Sequence, residues 1–314
     1  MWQTSDERLA RVGTRFALFV APMGVPVVIE APNGEMRALV RQACRDWEGD
    51  IDPHARTLHL TMLPLERVNP GLTHDIQVDG TGISVTAPGI EGSACAASGA
   101  GWCRVMDPLA ADPLRLREEV LDPLLLFLIT RNDRVPIHAS AFFVGELAVL
   151  LVGPSGTGKS CLALAARRAG LSILSDDIAY VQLDPVLRVW GMTQRIHVFA
   201  QDLPEGAASR PRVRNGKLKY GIPVADGQSA HVAERAAVCL LTPGEKVAID
   251  IIAPRQATFM HELEPGFDLL ARPIAAAFER LTVKGALRLT LSRDPDEAIM
   301  CLLRHRSLLS AVCS

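Results

Sequence analysis

The feature that most constrains this chain is an octapeptide from Gly153 to Ser160, Gly-Pro-Ser-Gly-Thr-Gly-Lys-Ser. It matches the pattern G-x-x-x-x-G-K-[ST], in which glycines allow backbone N–H groups to turn inward around phosphate oxygens. The apolar run Leu147–Val152 precedes it and reads as a buried strand, and a helical pattern from about Lys159 to Ala169 follows it. A helix that begins at such a loop attracts anions to its N-terminus. The sequence therefore predicts a phosphate-binding loop in an α/β core.

The loop residues are the first candidates for a nucleotide site. We expect Lys159 to reach the β- and γ-phosphates of ATP and the hydroxyl of Ser160 to ligate Mg²⁺. A glycine-rich turn that binds nothing is the alternative, and the flanking strand and helix disfavour it. The full set of expected nucleotide-binding residues is Gly153, Pro154, Ser155, Gly156, Thr157, Gly158, Lys159, Ser160 and Cys161.

Two adjacent carboxylates, Asp176 and Asp177, close the next predicted strand. The carboxyl ends of strands beside a phosphate loop are where metal-holding and base carboxylates occur in α/β sheets. Neighbouring side chains at the end of a strand point in different directions, so one can serve a metal and the other a substrate hydroxyl. The alternative is an Asp pair that only caps a turn.

A histidine, His138, opens the strand pair that leads into the loop. Alone, a His in a strand is more often structural than catalytic. Together with Gly153–Ser160 and Ser175-Asp176-Asp177, however, it resembles the HPr kinase/phosphorylase family and its related kinases. That family shares a phosphate-binding core with phosphoenolpyruvate carboxykinase. The resemblance covers residues 136–182 well and the rest of the C-terminal half weakly.

The resemblance implies a fold, an activity and roles for these residues. The fold would be an HPr kinase-like P-loop domain with a mixed β-sheet core. Ser160 and Asp177 would hold Mg²⁺, Asp176 would accept the proton of the acceptor hydroxyl, and His138 would lie near the transferred phosphate. The acceptor would be Ser of a protein or precursor peptide, because such relatives occur beside biosynthetic peptide clusters. His138, Asp176 and Lys159 are thus the expected catalytic residues.

The chain also departs from that family. A Glu-x-Arg-Gly signature follows the Asp pair in HPr kinases, whereas Val189–Met192 here lacks both Glu and Arg. A metal-helping Glu is therefore missing, as is part of the segment tied to dephosphorylation. The resemblance indicates an HPr kinase-related kinase and not HPr kinase itself.

Further cations follow the core motifs. Arg195 comes after a predicted strand and is either a phosphate contact or an exposed charge. Residues 204–221 are polar and basic, so we expect a mobile surface segment. It is either a solvated loop or a lid over phosphate and acceptor, with Lys217 and Lys219 as its contacts. A nucleic-acid arm lacks the interleaved aromatics it would need.

The chain has 314 residues, enough for about two domains. We expect an N-terminal α+β domain over residues 1–130, suited to substrate or partner binding, and the kinase domain over 131–314. In the first domain, the pattern predicts a helix over Gly34–Trp47 and a loop over the small residues Gly92–Gly101.

Composition excludes several classes. The net charge of -2 does not favour nucleic acid, and no apolar run is long enough to span a bilayer. Seven Cys without a Cys-x-x-Cys pair favour a reducing cytoplasm, and the N-terminus does not read as a signal peptide. A small-molecule kinase and a nucleotide-binding regulatory ATPase remain open as functions, as do ATP versus GTP and homo-oligomerisation.

Overall fold

The computed structural model describes residues 16–47, 49, 51–66, 74–106, 112–192, 195–204, 211–214, 217–224, 231–257 and 270–314. The chain divides into two compact units, Met1–Arg134 and Val135–Ser314, against an expected boundary at residue 130. Both units contain helices and mixed sheets, so the fold is α/β.

The N-terminal unit is built on one mixed sheet. Its described strands are β1 (Ala17–Val20), β2 (Val27–Glu30), β3 (Leu58–Pro64), β4 (Asp75–Asp79), β5 (Gly82–Ala87), β6 (Ile90–Cys95) and β7 (Ala100–Val105). They are ordered β1-β2-β3-β7-β6-β5-β4, and β3 pairs in parallel with both β2 and β7. The described helices are α1 (Gly34–Ala43), α2 (Pro113–Leu116) and α3 (Asp122–Thr130), with a π-helical turn at Arg117–Leu121 and 3-10 turns at Pro22–Gly24 and Arg45–Trp47.

Helix α1 forms where the apolar spacing predicts it. Asn33 caps its N-terminus, because its side-chain oxygen accepts the backbone N–H of Met36 at 2.8 Å. Met36, Val40 and Ala43 share the buried face of the helix. The predicted helix extended to Trp47, but the α-helix ends at Ala43 and a 3-10 turn completes the segment.

The predicted loop over Gly92–Gly101 is wrong, because most of it belongs to strands β6 and β7. The two strands are antiparallel, with Ala94 opposite Gly101. A Cβ on Gly101 would lie 2.9 Å from the Cβ of Ala94, and one on Gly92 would lie 3.0 Å from Leu124. The small residues that looked like a loop are there because neighbouring atoms approach the backbone closely.

The C-terminal unit carries two sheets. Its described strands are β8 (Val135–Val144), β9 (Leu147–Val152), β10 (Ile173–Ser175), β11 (Ile178–Gln182), β12 (Arg188–Trp190), β13 (Arg195–Val198), β14 (Pro211–Arg214), β15 (Lys217–Pro223), β16 (Val232–Ala233), β17 (Ala236–Pro243), β18 (Ala248–Ile252) and β19 (Ala286–Leu291). The larger sheet has the order β16-β12-β11-β8-β9-β17-β19-β18, with β10 on β8, and the smaller has the order β13-β15-β14. Its described helices are α4 (Lys159–Arg168), α5 (Ala271–Leu281), α6 (Pro295–Arg304) and α7 (Arg306–Val312), with 3-10 turns at Ala200–Asp202 and Pro254–Gln256.

Strand β9 lies inside the larger sheet and is buried along its whole length. It pairs with β8 in antiparallel and with β17 in parallel orientation. Val149 and Leu151 face the cluster that includes Leu162 of α4, whereas Leu150 faces the cluster that includes Phe278 of α5. Helices therefore cover both faces of the sheet, which explains a strand that is apolar at every position.

Residues 204–221, for which we expect a mobile surface segment, contain strands. Its described residues include β14 and the first residues of β15, which pair as antiparallel strands. Alternation explains the strand: Tyr220 and Ile222 pack against the apolar core, and Gly221 stands between them. Residues 205–210 and 215–216 of the predicted lid lie outside the described residues.

Within the described residues, no helix is both long and apolar enough to cross a membrane.

Candidate active site

The predicted phosphate loop lies between the end of β9 and the start of α4. Gly156 and Gly158 have φ angles of +88° and +95°, which residues with side chains rarely adopt. The carbonyl of Gly158 accepts the first helical N–H, that of Leu162, at 2.9 Å. Thr157 closes the turn by donating its hydroxyl to the carbonyl of Pro154 at 2.8 Å. The glycines thus give the backbone the turn that a phosphate-binding loop requires.

Lys159 lies within this loop and is only 7% exposed. Its ammonium donates to the carbonyl oxygens of Gly153 at 2.7 Å and Pro154 at 3.1 Å. Burial lowers the pKa of Lys159, the carboxylates of Asp177 and Asp176 oppose that shift, and the charge of Lys219 adds to it. Strand β8 connects the loop with the Asp pair. Ala139 stands opposite Val152, the last residue before the loop, and its carbonyl accepts the hydroxyl of Ser175, the residue before Asp176.

The Asp pair occupies the bend between β10 and β11, two strands that both pair with β8. Ser175 donates its hydroxyl to the carbonyl of Ala139 at 3.0 Å, and the hydroxyl of Ser140 donates to the carbonyl of Asp176. Both serines are buried, so these bonds tie the bend to β8 from each side.

The two carboxylates face different partners. Asp177 lies beside His138, with its Oδ1 3.3 Å from the ring Nε2, and both side chains are partly exposed. His138 reaches this place because it stands opposite Ile178 in the register of β8 and β11. Asp176 is buried instead and faces β13.

The partner of Asp176 is His197, which sequence reasoning missed. The backbone N–H of His197 donates to Oδ2 of Asp176 at 2.8 Å, and its ring Nδ1 lies 3.2 Å from the same oxygen. The motif Thr-Gln-Arg-Ile-His drew attention to Arg195 only. Strand alternation could have put Arg195 and His197 on one face, because Ile196 between them is buried. The contact with Asp176 joins two different sheets, and no local pattern shows it.

The remaining predicted cations lie on β13 and β15. Arg195 is exposed at the start of β13, on the same face as His197. Lys219 extends over the ring of Phe199, 5.8 Å from its centre, and its charge helps to lower the pKa of Lys159. The backbone of Lys217 belongs to β15, but its side chain lies outside the described residues.

Two residues of the first turn of α4 complete the predicted set. Ser160 is partly exposed there. Cys161 is half-buried, and burial together with the nearby carboxylate of Asp202 raises the pKa of its thiol to about 11. The thiol therefore stays protonated near neutral pH, and Cys161 contributes a neutral side chain beside the loop.

Comparison with known proteins adds a distant structural likeness. No protein-family model and no curated protein matches the chain. Among solved structures, the Hpr(Ser) kinase/phosphatase from Coxiella burnetii aligns with 55% of this chain and 96% of its own length. The two are 16% identical, and the TM-score is 0.29. A likeness at that score does not assign a function, which has to be argued from the residues of the site.

Proposed function

We propose that the protein is a Mg²⁺–ATP-dependent phosphotransferase that acts on a hydroxyl, Ser of a protein or peptide. The observation that carries the proposal is the position of the Asp pair beside the phosphate loop. Ala139 of β8 stands opposite Val152, where the loop begins, and binds Ser175, the residue before Asp176. Phosphoryl transfer depends on positioning and on charge neutralisation more than on covalent chemistry. A site that combines a phosphate cradle, a buried cation and two carboxylates supplies both.

The residues present fit the phosphates of ATP and a magnesium ion. The turned backbone of Gly156 and Gly158 and the N-terminus of α4 suit phosphate oxygens. Ser160 and Asp177 offer a hydroxyl and a carboxylate, the hard oxygen donors that Mg²⁺ takes alongside phosphate. When bound, Mg²⁺ neutralises negative charge on those phosphate oxygens.

Each residue then has one task. Asp176 accepts the proton of the acceptor hydroxyl while that oxygen bonds to the γ-phosphorus and the bond from this phosphorus to the β-phosphate oxygen breaks. Lys159 exchanges its contacts with loop carbonyls for contacts with phosphate oxygens, because charged acceptors bind an ammonium more strongly. His138 orients Asp177 through their 3.3 Å contact.

Lys219, on β15, suits such a site. Its charge helps to lower the pKa of Lys159, so a transferred phosphate would meet positive charge from both side chains. Closure of segment 204–221 over the acceptor remains a prediction, as does contact by Arg195 and Lys217.

A phosphoacceptor screen tests the proposal. The full-length protein is incubated with Mg²⁺ and γ-labelled ATP, together with a library of Ser-containing peptides, a protein extract or a pool of hydroxylated metabolites. We expect label on Ser, loss of transfer in Asp176→Asn, and full transfer in the control Asp250→Asn. Asp250 suits this purpose because its carboxylate is 52% exposed and paired with Arg288 at the surface.

The other outcomes separate the alternatives. Label on a metabolite alone would indicate a small-molecule kinase, and ADP release without a labelled acceptor would indicate a regulatory ATPase. If the wild-type protein neither transfers label nor releases ADP, it is not a phosphotransferase.

A further inference from the structure

One residue outside the predicted set holds Asp176 with two hydrogen bonds. His197 directs both its backbone N–H, at 2.8 Å, and its ring Nδ1, at 3.2 Å, to Oδ2 of Asp176. An ionised carboxylate oxygen only accepts, so a role of Asp176 as the base requires the tautomer of His197 that carries its proton on Nδ1. Two donors from one residue fix a carboxylate more firmly than one donor, because they restrict its rotation about the Cβ–Cγ bond.

The strand that carries His197 is itself anchored. Ile196 and Val198, its neighbours on β13, are 0% and 1% exposed and belong to the core that includes Leu162 of α4. Because α4 begins at the phosphate loop, the same core sets the positions of Lys159 and of the imidazole. Asp176 is 5% exposed, so the contact is shielded from competing water.

We propose that His197 is a positioning residue, which holds Oδ2 of Asp176 and so leaves Oδ1, a buried oxygen, to take the proton of an acceptor hydroxyl that enters the site. The inference rests on the proposed function and adds to it a residue that acts through the base. In the reaction, the acceptor O–H bond breaks and its proton passes to Oδ1, while the new oxygen–phosphorus bond forms and ADP leaves. The imidazole exchanges no proton with the substrate, because its Nδ1–H stays donated to Oδ2.

Three substitutions of His197 separate orientation from bulk packing. The backbone N–H remains in all of them, so each removes or moves only the ring donor. His197→Asn places an amide nitrogen on the same γ-carbon that bears Nδ1. His197→Gln moves that nitrogen one bond outward, and His197→Leu removes it. His231→Leu is the matched control, because His231 is exposed and outside the described site.

The measurement is steady-state ADP release, with the Ser-peptide library and with water as acceptors, over a range of ATP concentrations. For His197→Leu we expect kcat to fall about 10- to 100-fold, the size that misplacing a reacting group produces. The KM for ATP should stay within a factor of about two, because Asp176 does not bind the nucleotide. His197→Asn should restore most of kcat, and His197→Gln should not.

A double variant tests whether His197 acts through Asp176. If it does, Asp176→Asn/His197→Leu is no slower than Asp176→Asn alone, because the base is already lost. Additive losses would overturn the inference, and so would unchanged kcat in His197→Leu, a parallel rise in KM or equal rescue by Asn and Gln. Where His197→Leu unfolds in a thermal melt, the comparison of Asn with Gln decides. A wild-type protein that never releases ADP would instead overturn the proposed function, and this inference with it.

Discussion

At the residue scale, two neighbours in sequence acquire opposite surroundings. Asp177 is partly exposed and paired with His138, whereas Asp176 is buried and held by His197. The bend between β10 and β11 produces this difference. The side chain of Asp177 leaves the bend toward β8, and that of Asp176 leaves it toward β13. The separate roles that we propose for the two carboxylates rest on these surroundings.

The first prediction concerns the buried cation of the loop. We expect Lys159→Ala to abolish stabilisation by Mg²⁺–ATP, because it removes the ammonium that would meet the β- and γ-phosphates. The wild-type protein should gain about 2.7 kcal/mol when ATP is at about 100 times its Kd. Thermal unfolding with and without Mg²⁺–ATP measures this gain. The exposed Lys246→Ala is the control, and an unchanged gain in Lys159→Ala would remove the loop from the site.

The second prediction separates chemistry from metal binding at the Asp pair. Asp176→Asn should keep Mg²⁺–ATP binding while transfer falls ~10²- to 10⁴-fold, the usual value of a general base. Asp177→Asn should instead raise the Mg²⁺ requirement, because a hard cation loses an anionic oxygen. Ser160→Ala should resemble Asp177→Asn, and His138→Ala should raise the Mg²⁺ requirement less, because His138 acts by orienting Asp177. Mg²⁺ titration of ATP affinity beside single-turnover transfer measures both effects.

Exchanged phenotypes would reverse the roles of Asp176 and Asp177. Full transfer activity in both Asn variants would show that the pair only closes a turn. Both results are compared with the control variant Asp250→Asn, whose exposed carboxylate lies on β18.

At the scale of elements, the small-residue strands β6 and β7 show how close packing can imitate a loop in sequence. Their paired residues include Ala94 and Gly101, and a side chain on Gly101 would meet Ala94 and the carbonyl of Ser93 at 2.9 Å. Backbone atoms cannot move away as a flexible side chain can. The small residues of this segment are therefore explained by close strand packing and not by a flexible loop.

The third prediction follows from that contact. Gly101→Ala should lower the free energy of unfolding by about 1–3 kcal/mol, the usual cost of overpacking. Gly49→Ala is the matched control, because nothing lies within 4 Å of its Cβ position. Urea unfolding at constant temperature compares the two. Equal stability of both variants would contradict the close packing of β6 against β7.

Strand β13 shows how a single element connects the core with the candidate site. Its alternation turns Ile196 and Val198 toward the core and leaves Arg195 and His197 on the other face. One short strand thereby places His197 against Asp176 and directs the exposed guanidinium of Arg195 to the same side. The element, more than any single residue, connects the apolar core with the proposed chemistry.

At the scale of the whole molecule, the chain keeps its candidate site in the C-terminal unit and a buried ion pair in the N-terminal one. Arg134 donates to Asp52 at 3.0 Å and to the carbonyl of Met23 at 2.9 Å, and both charged side chains are at most 3% exposed. Burial alone would raise the pKa of Asp52, but the backbone N–H of His54 and the guanidinium of Arg134 lower it below its usual value.

The fourth prediction uses the sign of that shift. A carboxylate with a depressed pKa in the folded state stabilises above its unfolded pKa, about 3.9, and this contribution is lost as pH falls further. Asp52→Asn should therefore cost about 3–5 kcal/mol at pH 7, because Arg134 is left buried without its counter-charge. At pH 3 the difference from the wild-type protein should shrink.

Urea unfolding at the two pH values measures the difference. The exposed Asp75→Asn, in the same unit, should show little effect at either pH. A penalty for Asp52→Asn that is the same at pH 3 and pH 7 would contradict the ionic role of Asp52.

Local patterns were sufficient for several elements. The apolar run of β9, the glycines of the phosphate loop and the helix from Lys159 were predicted from sequence, and the structure has strand, loop and helix in that order. Helix α1 likewise begins at the predicted Gly34. Such features depend on backbone geometry and apolar spacing over a few residues, which a sequence displays directly.

The contacts between distant residues depended on the tertiary structure. Composition alone did not predict strands β6 and β7, because small residues are found both in closely packed strands and in flexible loops. The motif Arg-Ile-His drew attention to Arg195, yet it is His197 that meets Asp176, across two sheets. Such a contact depends on how strands pack in three dimensions, and the sequence by itself specified only the residue types that make it.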